Sequence, residues 1–268
     1  MKRALTTLLL ILCTLLFLFA CCQLFRTYRE YEDGTTTYEE LDDVYTTVLP
    51  TSIEPQLPES DEPPIVQETA PITVDFESLS AQYPDVVAWI YCPDTIIDYP
   101  IMQAENNDKY LRSLPDGTWN IAGTLFMDYR NAKDFSDSNS IIYGHNMKND
   151  SMFGTLPDYS SQEHYEANPH WYLLTPIADY KIELIAGYVT HSTSEAYAIP
   201  ETQEEKENLI QTAFVKSDFT AEVEIAENEK LITLSTCSYE YDDARYVLVG
   251  VLKELAKLNN DETKGDQP

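Results

Sequence analysis

The sequence predicts a mainly β domain, a barrel or a sandwich, with helices at its N-terminal end and one helix inserted between late strands. Three observations lead to this class. Short apolar or alternating stretches, separated by turn residues, recur along residues 73–258 and number about eight. Long stretches with helical spacing are few. The chain has 268 residues and is 43% hydrophobic, which suffices for one packed core.

The first segment, residues 1–29, is apolar and flanked by basic residues. It holds four basic side chains and no acid, and Ala4 to Cys22 carry no charge. About 20 apolar residues cross a bilayer as a helix. We therefore predict a single-pass signal-anchor through residues 4–25, with the N-terminus inside and the rest of the chain outside the cell. A cleaved signal peptide is the alternative.

Residues 30–72 form an acidic segment rich in proline and threonine. They contain 12 acids, no base and six prolines. Such a segment repels itself and lacks a pattern for a core, so an extended linker is predicted. The predicted domain then covers residues 73–258, and a polar tail covers 259–268.

Charge, cysteine count and missing motifs exclude several functions. The formal charge of −29 argues against nucleic acid as a partner, because no basic surface is available to neutralise phosphates. Five cysteines, three of them in the N-terminal apolar segment, do not make a disulfide scaffold. The sequence has no glycine-rich phosphate loop, no His-Glu-x-x-His and no Cys-x-x-Cys. We therefore expect neither a cofactor nor a metal.

Two segments of the domain predict helices. Residues 75–90 begin with a capping Asp75 and have apolar side chains at helical spacing, which predicts one or two short helices broken at Pro84. Thr202-Gln-Glu-Glu205 is a capping box, and an apolar stripe follows it, which predicts a helix over 202–215.

The other signals predict strands. In the segment from Tyr180, large apolar residues alternate with charged ones, as in a half-buried strand. The predicted strands are Ile96–Ile101, Gly123–Met127, Ser140–Tyr143, Trp171–Leu174, Tyr180–Thr190, Val223–Ile225, Leu231–Thr236 and Tyr246–Leu252.

Cys237, at the end of one predicted strand, is the main candidate for chemistry. A cysteine in this position is commonly only a small buried side chain. Arg245, however, opens the next predicted strand, and antiparallel pairing of the two strands would make both residues neighbours. A guanidinium beside a thiol favours the thiolate, which is the nucleophile.

A cysteine nucleophile also needs a proton donor for the leaving group. Among the four histidines, His145 is the best candidate because it follows the apolar strand Ser140–Tyr143 and a glycine. The other three histidines lie in polar or loop sequence and are interpreted as ordinary surface or loop residues.

Six motifs occur in consistent order along residues 73–255 and resemble those of one family. Thr233-Leu-Ser-Thr-Cys237 with Arg245 resembles the Thr-Leu-x-Thr-Cys…Arg signature of sortases, transpeptidases that join surface proteins to Gram-positive cell walls. Ile141-Ile-Tyr-Gly-His-Asn-Met147, running into Ser151-Met-Phe-Gly154, is similar to the histidine region of class B. The remaining matches are Pro84-Asp-Val-Val-Ala-Trp-Ile90, Ile97-Asp-Tyr-Pro100, Asn107-Asp-Lys-Tyr-Leu111 and Leu125-Phe-Met-Asp-Tyr-Arg130.

This resemblance implies a fold and a set of site residues. The fold is an eight-stranded barrel with N-terminal helices and a helix between the sixth and seventh strands. Cys237 would be the nucleophile and His145 the general acid and base, while Arg245 would stabilise the oxyanion or position the substrate. The implied substrate-binding residues are Asn107, Leu111, Tyr143, Ser235 and Thr236. No metal is implied.

The resemblance also implies an activity and partners. The enzyme would cleave a sorting motif after Thr in a secreted protein, through a thioester, and transfer the protein to a peptidoglycan amine. One alternative is a pilin-polymerising sortase that uses a Lys side chain as acceptor. An alternative of another class is an inactive, membrane-tethered barrel that binds wall components, although Cys237, His145 and Arg245 are all present.

Overall fold

Eight strands close into a barrel in the computed structural model, which describes residues 2–49 and 68–256. The helices are α1 Lys2–Tyr45, α2 Phe76–Gln82, α3 Gln162–Ala167 and α4 Gln203–Lys216, with short 3-10 helices at Leu156–Ser160 and Glu195–Tyr197. The strands are β1 Thr46–Val48, β2 Ile72–Val74, β3 Val86–Tyr91, β4 Asp98–Met102, β5 Leu125–Met127, β6 Asn139–Tyr143, β7 His170–Leu174, β8 Asp179–His191, β9 Lys230–Cys237 and β10 Ala244–Leu255. The predicted mainly β barrel is confirmed.

The order of strands around the barrel is β10-β8-β7-β3-β4-β5-β6-β9, and β1 pairs with β2 in a separate two-stranded sheet. Closure leaves the barrel without open edges. Most neighbours are antiparallel, but β4 with β5 and β6 with β9 are parallel. Because parallel strands run in the same direction, the carboxyl ends of β6 and β9 lie at the same rim.

Alternate residues of the last strand face two different cores. In β10, Leu248 belongs to the main cluster that includes the barrel interior, whereas Val247 and Val249 belong to a cluster outside the barrel. Leu209 and Ile210 of α4 cover that outer cluster, so β10 is buried on both faces. This double burial explains the continuous apolar sequence of the strand.

Helix α4 begins where the capping box predicts. The Thr202 side chain accepts a hydrogen bond from the Glu205 backbone N–H, and the Glu205 carboxylate accepts one from the Thr202 N–H. The helix lies between β8 and β9, which are the sixth and seventh barrel strands in chain order. Both the helix and the place implied for it are confirmed.

Two local predictions are wrong. Val86–Tyr91 is a strand rather than the second part of a helical segment, because it pairs with both β4 and β7. Its first five residues are all buried, and a fully buried strand has no alternation that would distinguish it from a helix. Val223–Ile225 is not a strand. Val223 and Ile225 pack against the outer core, and the carbonyl between them, that of Glu224, accepts from Lys253 Nζ at 2.6 Å.

The extended linker predicted from residue 30 is wrong as far as Tyr45, because α1 continues to that residue. Tyr31, Tyr38, Leu41 and Tyr45 recur at helical spacing and pack on the barrel, with Tyr38 and Leu41 at most 5% exposed. The Asn120 Nδ2 donates to the Glu30 carbonyl at 2.9 Å. The helix is therefore docked on the domain. The predicted linker residues 50–67 and the tail 259–268 lie outside the described residues.

Tyr38→Phe is expected to lower the free energy of unfolding by about 1–3 kcal/mol, the cost of an unsatisfied buried group. The Tyr38 hydroxyl donates to the Gly123 carbonyl at 2.5 Å and lies 3.0 Å from Thr124 Oγ1. Urea unfolding of the full chain in detergent measures the change. Tyr28→Phe is the control, because Tyr28 is exposed in the same helix. Equal stabilities of the two variants would contradict the docking.

Candidate active site

Three neighbouring strand ends place three predicted residues side by side. The parallel register pairs Tyr143 with Ser235, so His145 and Cys237 each lie two residues further along at the same rim. The antiparallel register of β9 and β10 pairs Cys237 with Arg245. Adjacent strands are about 5 Å apart. The thiol therefore lies between the histidine on one side and the arginine on the other.

Short contacts join the ends of β6 and β9. The Gly144 N–H donates to the Ser235 carbonyl at 3.0 Å, and Thr236 Oγ1 donates to the Gly144 carbonyl at 2.8 Å. Asn146 Nδ2 then donates to the Cys237 carbonyl at 2.8 Å. A Cβ on Gly144 would overlap the buried side chains of Leu125 and Phe153, which favours a glycine where the chain leaves β6. These bonds determine how the His145 backbone lies relative to Cys237.

A backbone carbonyl orients the imidazole of His145. The Nε2 atom lies 2.6 Å from the Leu111 carbonyl oxygen, which can only accept a hydrogen bond. Nε2 therefore carries a hydrogen in the neutral and in the charged imidazole, and Nδ1 is the nitrogen whose protonation changes. Burial lowers the pKa of His145 below 6.5, the Leu111 hydrogen bond opposes this, and the positive charge of Arg112 lowers it further.

A groove of about 280 Å³ opens along this rim. All eight residues predicted for the site line it: Asn107, Leu111, Tyr143, His145, Ser235, Thr236, Cys237 and Arg245. The remaining lining residues, which the sequence analysis did not identify, are Phe126, Gly144, Ser192 and Tyr197. The predicted residues are thus brought together in one concave surface, the usual form of a ligand site.

Tyr197 is the most informative of the missed residues. Its hydroxyl is hydrogen-bonded to Ser235 Oγ at 2.8 Å, and its ring stacks on Tyr143 with centroids 6.0 Å apart. It comes from the short 3-10 helix after β8. Nothing near it in sequence indicates this position, since it is one of 19 tyrosines and follows a polar loop.

Arg245 is the positively charged residue that the β9–β10 register pairs with Cys237. Arg245 is half-buried, and its Nη1 donates to the Ala244 carbonyl at 2.9 Å, which leaves the other guanidinium N–H groups available. A positive charge at this position can stabilise a thiolate or an oxyanion. The second barrel cysteine, Cys92, is 1% exposed, and burial raises its pKa to about 11. Within residues 2–49 and 68–256, no three His, Cys, Asp or Glu side chains are grouped to hold a metal ion.

The comparisons with known proteins assign a family to this barrel, which carries a cysteine, a histidine and an arginine at one rim. A family model described as Sortase domain matches residues 90–253. Sortase B of Listeria monocytogenes is 39% identical over 174 residues, which are 63% of this chain and 70% of that protein.

Two solved structures have the same fold. A Staphylococcus aureus sortase B–substrate complex has a TM-score of 0.64 and 27% identity, covering 68% of this chain and 85% of that one. Sortase B from Bacillus anthracis in complex with AAEK1 has a TM-score of 0.68 and 27% identity, with 85% and 99% covered. The chain belongs to the sortase family of transpeptidases, and its relatives place it in class B.

Proposed function

We propose that this sortase cleaves a sorting motif after Thr in secreted proteins and transfers them, through a thioester, to an amine of the cell-wall peptidoglycan. The observation that carries the proposal is the row of His145, Cys237 and Arg245 at the ends of three adjacent strands, with His145 two residues beyond the end of β6. Among the described residues that line the groove, Arg245 and the titratable His145 are the ones that can carry a positive charge, and none is Asp or Glu, so the groove suits an uncharged peptide.

The first half-reaction forms the thioester. The Cys237 thiolate attacks the carbonyl carbon of the Thr residue, a C–S bond forms, and the carbonyl oxygen becomes an oxyanion beside Arg245. When the oxyanion collapses, the C–N bond to the next residue breaks. The leaving amine takes a proton from Nδ1 of His145, since Nε2 is held by the Leu111 carbonyl.

The second half-reaction releases the product. A peptidoglycan amine attacks the thioester carbonyl, gives its proton to His145, and displaces the Cys237 thiolate as the new amide forms. The enzyme returns to its starting state without any redox change. Burial lowers the pKa of His145 and so disfavours the imidazolium that the leaving group needs, and we therefore expect slow turnover.

The proposed location follows from the N-terminal helix. An 18-residue stretch of α1 has a mean hydropathy of 2.7, so the helix is long and apolar enough to cross a membrane. We place the anchor in residues 1–29 with the N-terminus inside, and the catalytic domain of residues 73–258 outside, facing the wall. The docked part of α1 would then hold the domain close to the membrane surface.

Peptide reactivity tests the proposal. The full chain in detergent is incubated with peptides carrying Asn-Pro-x-Thr or Leu/Ser-Pro-x-Thr-Gly sequences, and intact mass is measured. We expect an adduct on Cys237 that ends in Thr and is released by hydroxylamine, as a thioester is. A peptidoglycan-type amine, added next, is expected to resolve the adduct faster than a lysine peptide does.

Each other result points to a different function. Faster resolution by the lysine peptide would indicate a pilin polymerase. No adduct with any peptide, although Cys237 still reacts with iodoacetamide, would favour the inactive binding barrel.

A further inference from the structure

Asp128 follows β5 and has a carboxylate that is buried behind the groove. The residue is 1% exposed and does not line the groove itself. Its two oxygens accept five hydrogen bonds, from the backbone N–H, Nε and Nη2 of Arg130, from Nδ2 of Asn107 and from the hydroxyl of Tyr143. So many bonds leave this carboxylate a single position.

The bond to Asn107 determines which way that amide points. Nδ2 of Asn107 lies 3.2 Å from the Asp128 carboxylate, and its Oδ1 accepts from the Tyr129 backbone N–H at 3.0 Å. If the Asn107 amide were reversed, its oxygen would face the Asp128 carboxylate, and its NH₂ group would face the Tyr129 N–H. Asp128 therefore imposes one orientation, in which the second Nδ2 hydrogen is left for a peptide carbonyl in the groove.

The same carboxylate holds two tyrosines of the groove. The Tyr143 hydroxyl donates to Asp128 at 2.9 Å, and the ring of Tyr143 stacks on Tyr197. Arg130, paired with Asp128 through two parallel bonds of 2.9 Å, also donates to the Tyr197 carbonyl at 3.3 Å. This one ion pair thus contacts three residues of the groove wall: Asn107, Tyr143 and Tyr197.

The charge of Asp128 is balanced inside this network. Burial raises the pKa of Asp128, but hydrogen bonds from Arg130 and Tyr143 outweigh burial and bring the pKa below its ordinary value. The carboxylate stays ionised at neutral pH, so it accepts hydrogen bonds and donates none. An asparagine at position 128 would replace one carboxylate oxygen by an NH₂ group. That group would face the N–H and O–H donors that now bond to Asp128.

We infer that Asp128 is a positioning residue for peptide recognition: it acts through Asn107, Tyr143 and, by way of Arg130, Tyr197, and it takes no part in the chemistry at Cys237. This inference rests on the proposed function, because the peptide is the ligand that the wall would bind. A residue of this kind affects binding of the peptide more than the chemical step.

Asp128→Asn in the full chain tests the inference by steady-state kinetics with the peptide that forms the adduct. We expect KM to rise about tenfold, kcat to change less than twofold, and alkylation of Cys237 by iodoacetamide to keep its rate. Asp137→Asn is the matched control. Asp137 also accepts bonds from an asparagine amide and a backbone N–H, those of Asn131 and Ala132, but lies away from the groove.

Arg130→Lys is a second variant. The Arg130 side chain is 43% exposed, whereas that of Asp128 is 2% exposed, so the substitution changes the accessible partner of the pair and leaves the buried carboxylate in place. It keeps the positive charge but loses the two parallel bonds, and we expect KM to rise about threefold. The inference is overturned when both variants keep the wild-type KM. Equal losses of kcat and alkylation rate in Asp128→Asn and Asp137→Asn would likewise assign Asp128 a purely structural role.

One measurement does not depend on peptide turnover. The side-chain amide hydrogens of Asn107, followed by NMR without peptide, should exchange with solvent at least tenfold faster in Asp128→Asn than in wild type or Asp137→Asn. An unchanged exchange rate overturns the inference. A wild-type enzyme that forms no adduct, with this exchange difference present, overturns the proposed function and leaves the positioning of Asn107 supported.

Discussion

Cys237→Ala is expected to abolish the acyl-enzyme and to lower kcat/KM for peptide cleavage by a factor of about 10⁴ or more. Alanine leaves no atom that can form the thioester, and nothing else in the groove replaces it. Among the described residues that line the groove, Cys237 is the only one with a thiol, and the hydroxyl of Ser235 is hydrogen-bonded to that of Tyr197. Intact mass and product release with the reactive peptide measure the loss.

Cys92→Ala is the matched control for this substitution. Cys92 is the other cysteine of the barrel, and it lies buried in the main apolar cluster rather than in the groove. The control variant is expected to lose some stability and to keep the adduct and the turnover rate. If Cys237→Ala retained activity, or if Cys92→Ala lost it at a temperature where it is folded, the nucleophile would be assigned wrongly.

His145→Ala is expected to lower kcat/KM by about 10²–10⁴-fold, the usual effect of losing a general acid and base. It is also expected to change the pH dependence. The reactive form, thiolate with imidazolium, has one proton fewer than the thiol–imidazolium form that is present in acid. In the wild type, kcat/KM therefore falls as the pH drops below the pKa of His145, with a midpoint below 6.5 because burial lowers that pKa.

The variant should lose the limb with this midpoint together with most of the rate. Its remaining activity still needs the Cys237 thiolate and is therefore expected to rise with pH throughout the series. A pH series of kcat/KM from about 5 to 9 measures both effects. His191→Ala is the control, because His191 is exposed at the nearby end of β8. Its ring nitrogen Nδ1 is hydrogen-bonded to the hydroxyl and the backbone N–H of Thr193. A profile in which His145→Ala keeps the acid limb and the wild-type rate would falsify the role of His145.

The two predictions bear on different parts of one arrangement. Cys237 and Arg245 pair on the neighbouring strands β9 and β10, which a short loop joins. His145 follows β6, a neighbour of β9 that is distant in sequence. The Gly144–Thr236 bond joins residues 92 positions apart. Damage to the β6–β9 contact should therefore separate the acid from the nucleophile while leaving Cys237 and Arg245 paired.

Local patterns predicted most of the barrel. Alternation or apolar runs identified seven of its eight strands, and the capping box at Thr202 identified α4. The eighth strand, Val86–Tyr91, was missed because burial on both faces removes the alternation that marks a strand. The docked end of α1 was missed for another reason. Tyr31, Tyr38, Leu41 and Tyr45 have helical spacing, but the residues between them are largely acidic or polar. That composition favours an extended chain and hides the helical pattern.

Features that depend on near neighbours were predicted from local patterns: seven barrel strands, the capped helix, the apolar N-terminal segment, and the pairing of Cys237 with Arg245 across a short loop. Together with the family motifs, these patterns identified eight of the twelve residues that line the groove. Contacts between segments that are distant in sequence became known from the folded barrel alone. Barrel closure pairs β6 with β9 in parallel, and the loop before β5 brings the Leu111 carbonyl to His145. It also gathers Asn107, Tyr143 and Arg130 around Asp128. These contacts join segments far apart in sequence, so no local sequence pattern predicts them. They form only when the barrel closes around its core.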